Sequence, residues 1–459
     1  MHGKQYINIR QFSWLTSTLL TGGGLVSVQN VLARASGPDM WLSYWMPTLY
    51  VFIIVALLGY LNKVFPGRHI YRINTELFGK WFGGLLNAVI LYHFWMILVR
   101  DISLFNRFFV TTLLPRTPLE IFGLLFMIVM IYYGRTSLEV VARVNDVFFP
   151  LFVLIVLLMP FSLLNEIQPS LIQPIMASSF RLHISSNIIS SSWYADILIM
   201  GAFLHMVHSS TELKSSLRRG AILSSFILSL VLALNVFVFG PYLPGNFIYP
   251  TYELVQQIHI TDFLDRVDLI ILMIWFPVTV CKVVMIYIAL LYGVTSFFRK
   301  ADHSSVNKPL AAFLVITALA VFRSTTEVFS YGNYASAAIV FGYQPVYFVL
   351  LFIAVKVYLR RNGLNPADLS QRREPPVGRS NSGRRGNMKI WDRISTKMSY
   401  SSWRLTSNAV LCVIVVVVAA GYWTGQRWAA GGLIAGAMYT LCMVILLLST
   451  YAETKSTSS

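Results

Sequence analysis

Phe12–Leu32 reads FSWLTSTLLTGGGLVSVQNVL. The run has about the 20 largely apolar residues that a helix needs to span a hydrocarbon core of about 30 Å. Yet Thr21 and three consecutive glycines, Gly22, Gly23 and Gly24, sit near its middle. Glycine disfavours a continuous helix, and unwinding inside lipid bares N–H and C=O groups that hydrocarbon cannot satisfy. Two readings stay open. A polar ligand takes up the freed groups, its carboxylate at a half-helix N-terminus and its ammonium on carbonyls. Alternatively, the small residues let another helix approach closely.

Similar runs recur along the 459 residues, which are 56% hydrophobic and only 12% charged. A soluble domain carries about 25% charged residues. The runs predict an all-α polytopic membrane protein that crosses a bilayer about ten to twelve times. After Phe12–Leu32 the expected spans are Trp41–Leu61, Trp81–Leu104 (extending toward Thr111), Leu119–Tyr133, Val144–Leu164, Ile188–His208, Ala221–Phe239, Leu269–Phe297, Leu310–Phe329 and Ala338–Tyr358, then Val410–Trp423 and Gly432–Ser449. Three parts follow: a ten-span core over 1–361, a basic linker over 362–405, and a C-terminal transmembrane hairpin and tail over 406–459.

The net charge of +17 invites a nucleic-acid partner. Its distribution argues against one, because it follows the rule that cytoplasmic loops are rich in Lys and Arg. With the N-terminus in the cytoplasm, the inner segments hold Lys4 and Arg10; Lys63, Arg68, Arg72 and Lys80; Arg135 and Arg143; Lys214, Arg218 and Arg219; and Arg299, Lys300 and Lys308, followed by the Arg-rich linker. Both termini are then cytoplasmic. The long outer loop carries Glu253, Asp262, Asp265 and Asp268, and the periodicity of Tyr252–Leu264 suits an interfacial helix. The Arg-, Ser-, Gly- and Pro-rich linker suits a flexible tether beside anionic lipid. Cys281, Cys412 and Cys442 lie in apolar runs and read as helix-packing residues rather than a metal site. Met1–Arg10 is polar and the first run lacks an Ala-x-Ala exit, so that run is expected to be retained as a span.

Five spans are an odd number, so the sixth enters from the opposite side to the first, and two five-span halves have inverted topology. Broken helices are expected in spans one and six. Span six carries Asp196 and Gly201 among Trp193, Tyr194, Met200 and Phe203. A carboxylate inside the bilayer is costly and marks function by default, unless the span starts later and Asp196 lies at the outer interface. His205 and His208 fall near the inner end and read as surface residues. In span three Arg100 and Asp101 are adjacent, about 100° apart on a helix, so they are not expected to face each other. They suit gating of an outer vestibule or pairing with other spans. Lys282 lies seven residues after Trp275, on nearly the same helical face, and is either a buried charge or a snorkelling side chain.

Four stretches carry a resemblance: Arg135–Leu154, RTSLEVVARVNDVFFPLFVL; Phe65–Gly83, FPGRHIYRINTELFGKWFG; Leu114–Pro118, LPRTP; and Tyr249–Phe276, YPTYELVQQIHITDFLDRVDLIILMIWF. In order and spacing the chain resembles the B subunits of spore germinant receptors, the GerAB-type spore permease family of the amino acid–polyamine–organocation superfamily, over about residues 5–360. The resemblance implies a five-plus-five inverted-repeat bundle like that of leucine-type transporters (LeuT-like), with helices one and six broken. It also implies a nutrient receptor in the spore inner membrane that senses germinants, commonly amino acids, beside A-type and C-type subunits. Two departures touch the pocket. Gly22–Gly24 replace a Gly-Thr-Gly run with a nearby Pro, and Trp193-Tyr194-Ala195-Asp196 stands where a Phe-Pro-Phe-Gly-Glu run often ends. The linker and the hairpin, with Gly421, Gly425, Gly431, Gly432 and Gly436, are additions whose glycine spacing suits packing on another helix.

The expected ligand-binding set is Thr21, Gly22, Gly23, Gly24, Tyr92, Trp95, Asp196, Met200, Gly201 and Trp275, with Arg100, Asp101 and Lys282 for gating or coupling. Backbone contacts come from the glycines, an ammonium contact from Asp196 and an aromatic lining from Tyr92, Trp95 and Trp275. A receptor and a secondary amino-acid transporter coupled to H⁺ or Na⁺ use the same fold, and sequence does not separate them. No phosphate loop, metal-ligand spacing or nucleophile motif points to an enzyme, and no cofactor or metal is expected.

Overall fold

The computed structural model describes residues 7–25, 27–207, 209–258, 266–297, 303–363 and 399–458. Lys4, His208, Asp262, Asp265, Arg299, Lys300 and most of the linker therefore lie outside the described residues. Among those described, nine helical stretches are long and apolar enough to cross a membrane, and Leu119–Tyr133 and Ser305–Val321 are shorter apolar helices. The chain is a multi-pass membrane protein.

The first span is broken, as the inverted-repeat reading requires. Helix α1 (Ile9–Gly24) starts with an Asn8/Gln11 capping box, and α2 (Gln29–Ser36) resumes after a gap. The break follows the glycines rather than falling on them. None of the three has positive φ, and Leu25 N–H still donates to Thr21 O at 3.3 Å. Ser27 Oγ–H then satisfies the Gly23 carbonyl at 2.8 Å. A 3₁₀ turn, Gly37–Leu42, leads into α3 (Trp45–Val64).

Helix α4 (Ile70–Thr112) joins a short surface segment to the third span through a sharp bend at Gly79, whose φ is +79°. Only glycine holds that conformation cheaply. A side chain at Gly83 would strike the Asn74 carbonyl at 2.5 Å, so the two arms of the bend are in contact. Helices α5 (Leu119–Tyr133) and α6 (Leu138–Ser162) complete the first half. The family-like stretch in α6 clamps the first span. Asn145 Oδ1 accepts from Thr18 Oγ1 at 2.7 Å, and Asp146 accepts from Gln11 Nε2 at 2.8 Å.

The second half opens with α7 (Phe180–Tyr194). At Ala195 the chain tightens into a 3₁₀ helix, Ala195–Met206. The sixth span thus starts eight residues before the expected Ile188, because Phe180–Asn187 continues the helix despite its polar serines. Then come α8 (Ser210–Phe239), the short α9 (Pro250–Gln256), α10 (Val267–Phe297) and α11 (His303–Val321). Only the start of the expected interfacial helix, α9, falls among the described residues. Spans nine and ten part at Phe322–Ser324, earlier than expected. Ser324 caps α12 (Thr325–Ser330), accepting from Glu327 N–H at 3.2 Å. A π-helical turn, Tyr331–Ala335, joins α12 to α13 (Ser336–Arg361).

The C-terminal hairpin is α14 (Tyr400–Gly425) and α15 (Ala429–Ser458), with α15 packed along α8. Its glycines meet the facing helix of the hairpin, as their spacing suggested, a Cβ on Gly421 lying 2.7 Å from Ala435 Cβ and one on Gly431 2.9 Å from Thr424 Cβ, and they also meet a loop. A Cβ on Gly432 would collide with Ile175 O, and one on Gly425 would lie 2.7 Å from Met176 O. That loop is held by Asp39, which accepts from Met176 N–H at 2.7 Å and from Ser178 Oγ–H at 2.6 Å. At the other end Glu453, fully buried, pairs with Arg218 at 3.6 Å. Cys281 and Cys442 are buried as packing residues, whereas Cys412 faces outward.

Candidate functional site

The two helix breaks meet four buried charges. Helix α4 supplies Arg100 and Asp101, the start of the 3₁₀ segment supplies Asp196, and α10 supplies Lys282. Each is 1% exposed. Arg100 donates through Nε to Asp101 Oδ1 at 2.8 Å and through Nη2 to Asp196 Oδ2 at 2.9 Å. Lys282 Nζ lies 2.8 Å from Asp101 Oδ2 and 3.8 Å from Asp196 Oδ2. Two cations and two anions cancel, which is the condition under which such groups tolerate burial. Asp196 Oδ1 has no hydrogen-bond partner among the described residues.

The expectation that Arg100 and Asp101 would not face each other is corrected by this geometry. Their Cβ directions do diverge, but the arginine stem is long enough to curl back, and both side chains turn into the same interior space.

Trp193, the penultimate residue of α7, roofs the cluster. The Arg100 guanidinium stacks 3.8 Å from its ring centroid, and Lys282 Nζ lies 5.8 Å away. These are cation–π distances. The glycines of α1 make room for this arrangement. A Cβ at Gly23 would lie 2.6 Å from Trp193 and 2.8 Å from Lys282 Nζ, and one at Gly22 3.0 Å from Lys282 Cδ.

A fifth element, unnoticed in the sequence, closes the site. Asn333 in the π turn accepts from Trp193 Nε1–H at 3.2 Å and donates to Ser27 O at 3.1 Å, so it ties the two breaks together. Gly332 beside it leaves Trp193 and Arg100 space, at 3.0 and 3.2 Å from a would-be Cβ. The signal was the polar Gly332-Asn333 step inside an apolar span. π turns frequently mark functional sites.

The structure thus gathers Gly22, Gly23, Asp196, Arg100, Asp101 and Lys282. The Thr21 hydroxyl donates to Ser17 O at 2.7 Å, and Gly24 faces Leu228 and Tyr44. Met200 is fully buried. Gly201 packs against Ile70 and Leu58, one to two turns toward the N-terminal face. Tyr92 and Trp95 stand apart. Tyr92 is 59% exposed, two turns from Arg100, and Trp95 packs in a tilted arrangement on Phe313, with ring centroids 4.9 Å apart. Five residues along a helix turn Trp95 about 140° from Arg100, toward α11. Trp275 sits two turns from Lys282 toward the opposite face. It makes edge contacts with Phe105 and Phe108 and lines an apolar cavity with Leu25, Tyr249 and Tyr252. Lys282 reaches no interface.

On the N-terminal face His69, just before α4, meets the His205 ring edge-on at 5.9 Å. His205 is part-buried here rather than a free surface residue. Burial, then the neighbouring His205 and Arg72, push the His69 imidazole down to about 4.

Comparison with known proteins bears on this site. The family of spore germination proteins known as spore permeases matches residues 6–330. YfkT of Bacillus subtilis strain 168, whose name places it among spore germination proteins, is 26% identical over 310 residues, 68% of this chain and 85% of its own. Spore germination protein KB of the same organism is 22% identical over 356 residues, covering 76% and 94% of the two chains. Among solved structures, Mhp1, a nucleobase-cation-symport-1 family transporter in a closed conformation, superposes with a TM-score of 0.50 at 13% identity, covering 97% of this chain and 96% of its own. That likeness shows a shared fold, the five-plus-five bundle with broken first and sixth helices.

Proposed function

The chain belongs to the spore permease family of spore germination proteins, and from that premise we propose that it is the germinant-binding membrane subunit of a nutrient receptor. The ligand is a small zwitterion, an amino acid, and the site is the charge cluster at the two helix breaks. One observation carries this reading: Asp196, buried where the sixth span breaks, keeps one carboxylate oxygen unpartnered. An ammonium group fits there, and the ligand's carboxylate then competes for the Arg100 fork. Arg–carboxylate pairing of this kind is strong and directional.

The cluster is self-neutral without ligand, so an amino acid must exchange partners with it rather than fill a ready cavity. Freeing Lys282 from Asp196 loosens α10 against the 3₁₀ segment of the sixth span. A ligand that favours the loosened state shifts the equilibrium by its differential affinity. A-type and C-type subunits in the spore inner membrane read that shift, with the Lys- and Arg-rich N-terminal face and both termini in the cytoplasm.

A second reading, a secondary amino-acid transporter coupled to H⁺ or Na⁺, draws on the buried Lys282 ammonium, placed between two aspartates where a coupling cation would sit. The test is a germination assay on spores lacking this gene and other receptors, against amino acids, nucleosides and sugars. Loss of response to one amino acid, restored by re-expression, supports the receptor. Unchanged germination with altered uptake in growing cells favours the transporter.

A further inference from the structure

Cations crowd one corner of the N-terminal face, where α3 ends and α8 and α14 begin. Helix α3 carries Phe52, Ala56, Gly59 and Lys63 along one side, at spacings of three and four residues. The Arg218 guanidinium of α8 lies 4.5 Å from the Phe52 ring centroid and donates to Asn408 Oδ1 of α14 at 2.8 Å. One turn nearer the start of α8, the stem of Lys214 lies across Gly59, where a Cβ would collide with it. The missing side chain on α3 is therefore the notch that holds this lysine in place.

The charged groups that act on Lys214 among the described residues are Lys63, Arg218 and Arg404, all of them cations. Glu453 does not balance them. It is fully buried, pairs with Arg218 at 3.6 Å and accepts from Ser407 Oγ–H at 3.4 Å. The linker that feeds α14 brings more positive charge than negative, since Asp368, Glu374 and Asp392 are outnumbered by Arg and Lys over 364–398. The cluster at the helix breaks is neutral, and this corner is not. Lys214 is half-buried, and a partly desolvated ammonium among like charges is costly until an anion reaches it.

The corner is also open. Lys63 is half-buried and Arg404 is exposed. Toward the membrane centre Ala56, on the same side of α3 as the notch, is exposed, and Leu405 beside Arg404 is 71% exposed. Positive charge thus sits above bare hydrocarbon.

We propose that this corner binds an anionic phospholipid, its phosphodiester on Lys214, Arg404 and Lys63 and its chains along Ala56 and Leu405. Basic pockets between transmembrane helices take such headgroups. A free phosphate matches the charge but leaves the hydrocarbon uncovered. Lys63 and Lys214 belong to the core and Arg404 to the added hairpin, so the bound lipid fastens one to the other.

The test releases the full chain from nanodiscs of mixed phosphatidylglycerol and phosphatidylcholine and weighs the retained lipid by native mass spectrometry. Phosphatidylglycerol is expected to be retained in preference, and glycerol 3-phosphate does not displace it. Lys214→Gln and Arg404→Gln each weaken retention about tenfold, the worth of a charge-assisted hydrogen bond. Lys80→Gln removes the same charge from an exposed position outside the corner and leaves retention unchanged. In phosphatidylcholine alone Lys214→Gln unfolds no earlier than the parent, because a repelled cation is gone. Equal retention of the two lipids, displacement by glycerol 3-phosphate, or a loss in Lys80→Gln as large as in Lys214→Gln overturns the proposal. Should Lys214→Gln fail to fold, Arg404→Gln, at the surface, decides, and unchanged retention there also overturns it.

Discussion

The Arg100 guanidinium lies 2.9 Å from the Asp196 carboxylate across a sequence separation of 96 residues. This pair joins the third span to the break in the sixth, and each partner neutralises a charge the bilayer would otherwise reject. Removing one alone leaves an uncompensated buried charge, which costs about 3–5 kcal/mol. Arg100→Gln and Asp196→Asn should each lower the thermal unfolding midpoint of the purified protein sharply, and the double variant should recover part of the loss. Strictly additive losses in that cycle would show that the two side chains do not act as a pair.

Ligand chemistry gives a separate test of Asp196. A charge-assisted hydrogen bond is worth about 1.5–3 kcal/mol, so Asp196→Asn should weaken amine-bearing germinants by about tenfold to a hundredfold. Its effect on sugars should be small. Equal losses for charged and uncharged ligands would remove Asp196 from ligand contact.

Gly23 has no room for a side chain, because Trp193 and Lys282 occupy the space at 2.6 and 2.8 Å. Gly23→Ala should depress the response to nutrient while the protein still inserts, and Gly23→Leu should do so more severely. Trp193→Leu, which removes the ring that the new methyl strikes, should restore part of what Gly23→Ala loses. Failure of insertion in Gly23→Ala itself would make the glycine a packing residue for helix assembly.

The His69 imidazole, lowered from 6.5 to about 4, makes stability depend on pH in a defined direction. The folded state holds the ring neutral, so its contribution is whole above pH 6.5. It declines as pH falls toward 4, where the unfolded chain is already protonated, and the loss reaches up to about 3 kcal/mol. His69→Gln should flatten that part of the stability profile, measured as the unfolding midpoint between pH 4 and 7. A midpoint with the same acid slope in both proteins would place the dependence elsewhere.

The membrane class and the span order were readable because hydrophobic length and the asymmetry of Lys and Arg report directly on the bilayer. The family was readable because its signature stretches build joints. Asn145 and Asp146 clamp α1, Gly79 turns the chain into the third span, and Tyr249 braces Phe108. Those residues hold the bundle of this chain together, so they say little about the ligand. Asp196, Arg100, Asp101 and Lys282 were visible one by one as charges inside apolar runs. Their partnership was hidden, since it depends on how far an arginine stem bends and on which helix faces meet. Tyr92 and Trp95 were chosen by residue type, and the rotation of α4 carried them away from the cluster. Asn333 escaped notice because no single-residue signal marks a bridge between two breaks.

Arg100 and Asp101 are bonded neighbours at 2.8 Å within a single helix, and this bears on how the protein is made. During synthesis α4 meets the translocon long before Asp196 or Lys282 exists. With an aspartate folded against its arginine, the segment presents a compact dipole instead of a bare cation, whose insertion at mid-helix costs about 2.5–3.5 kcal/mol. The helix can therefore partition early and wait as the post to which the sixth and eighth spans later fasten. An isolated α4 segment should insert less efficiently as Asp101→Ala, in a glycosylation-reporter assay, and equal insertion would assign the neutralisation wholly to the assembled bundle. The adjacent pair is then a travelling counter-ion, carried through biogenesis and surrendered in part once the later charges arrive.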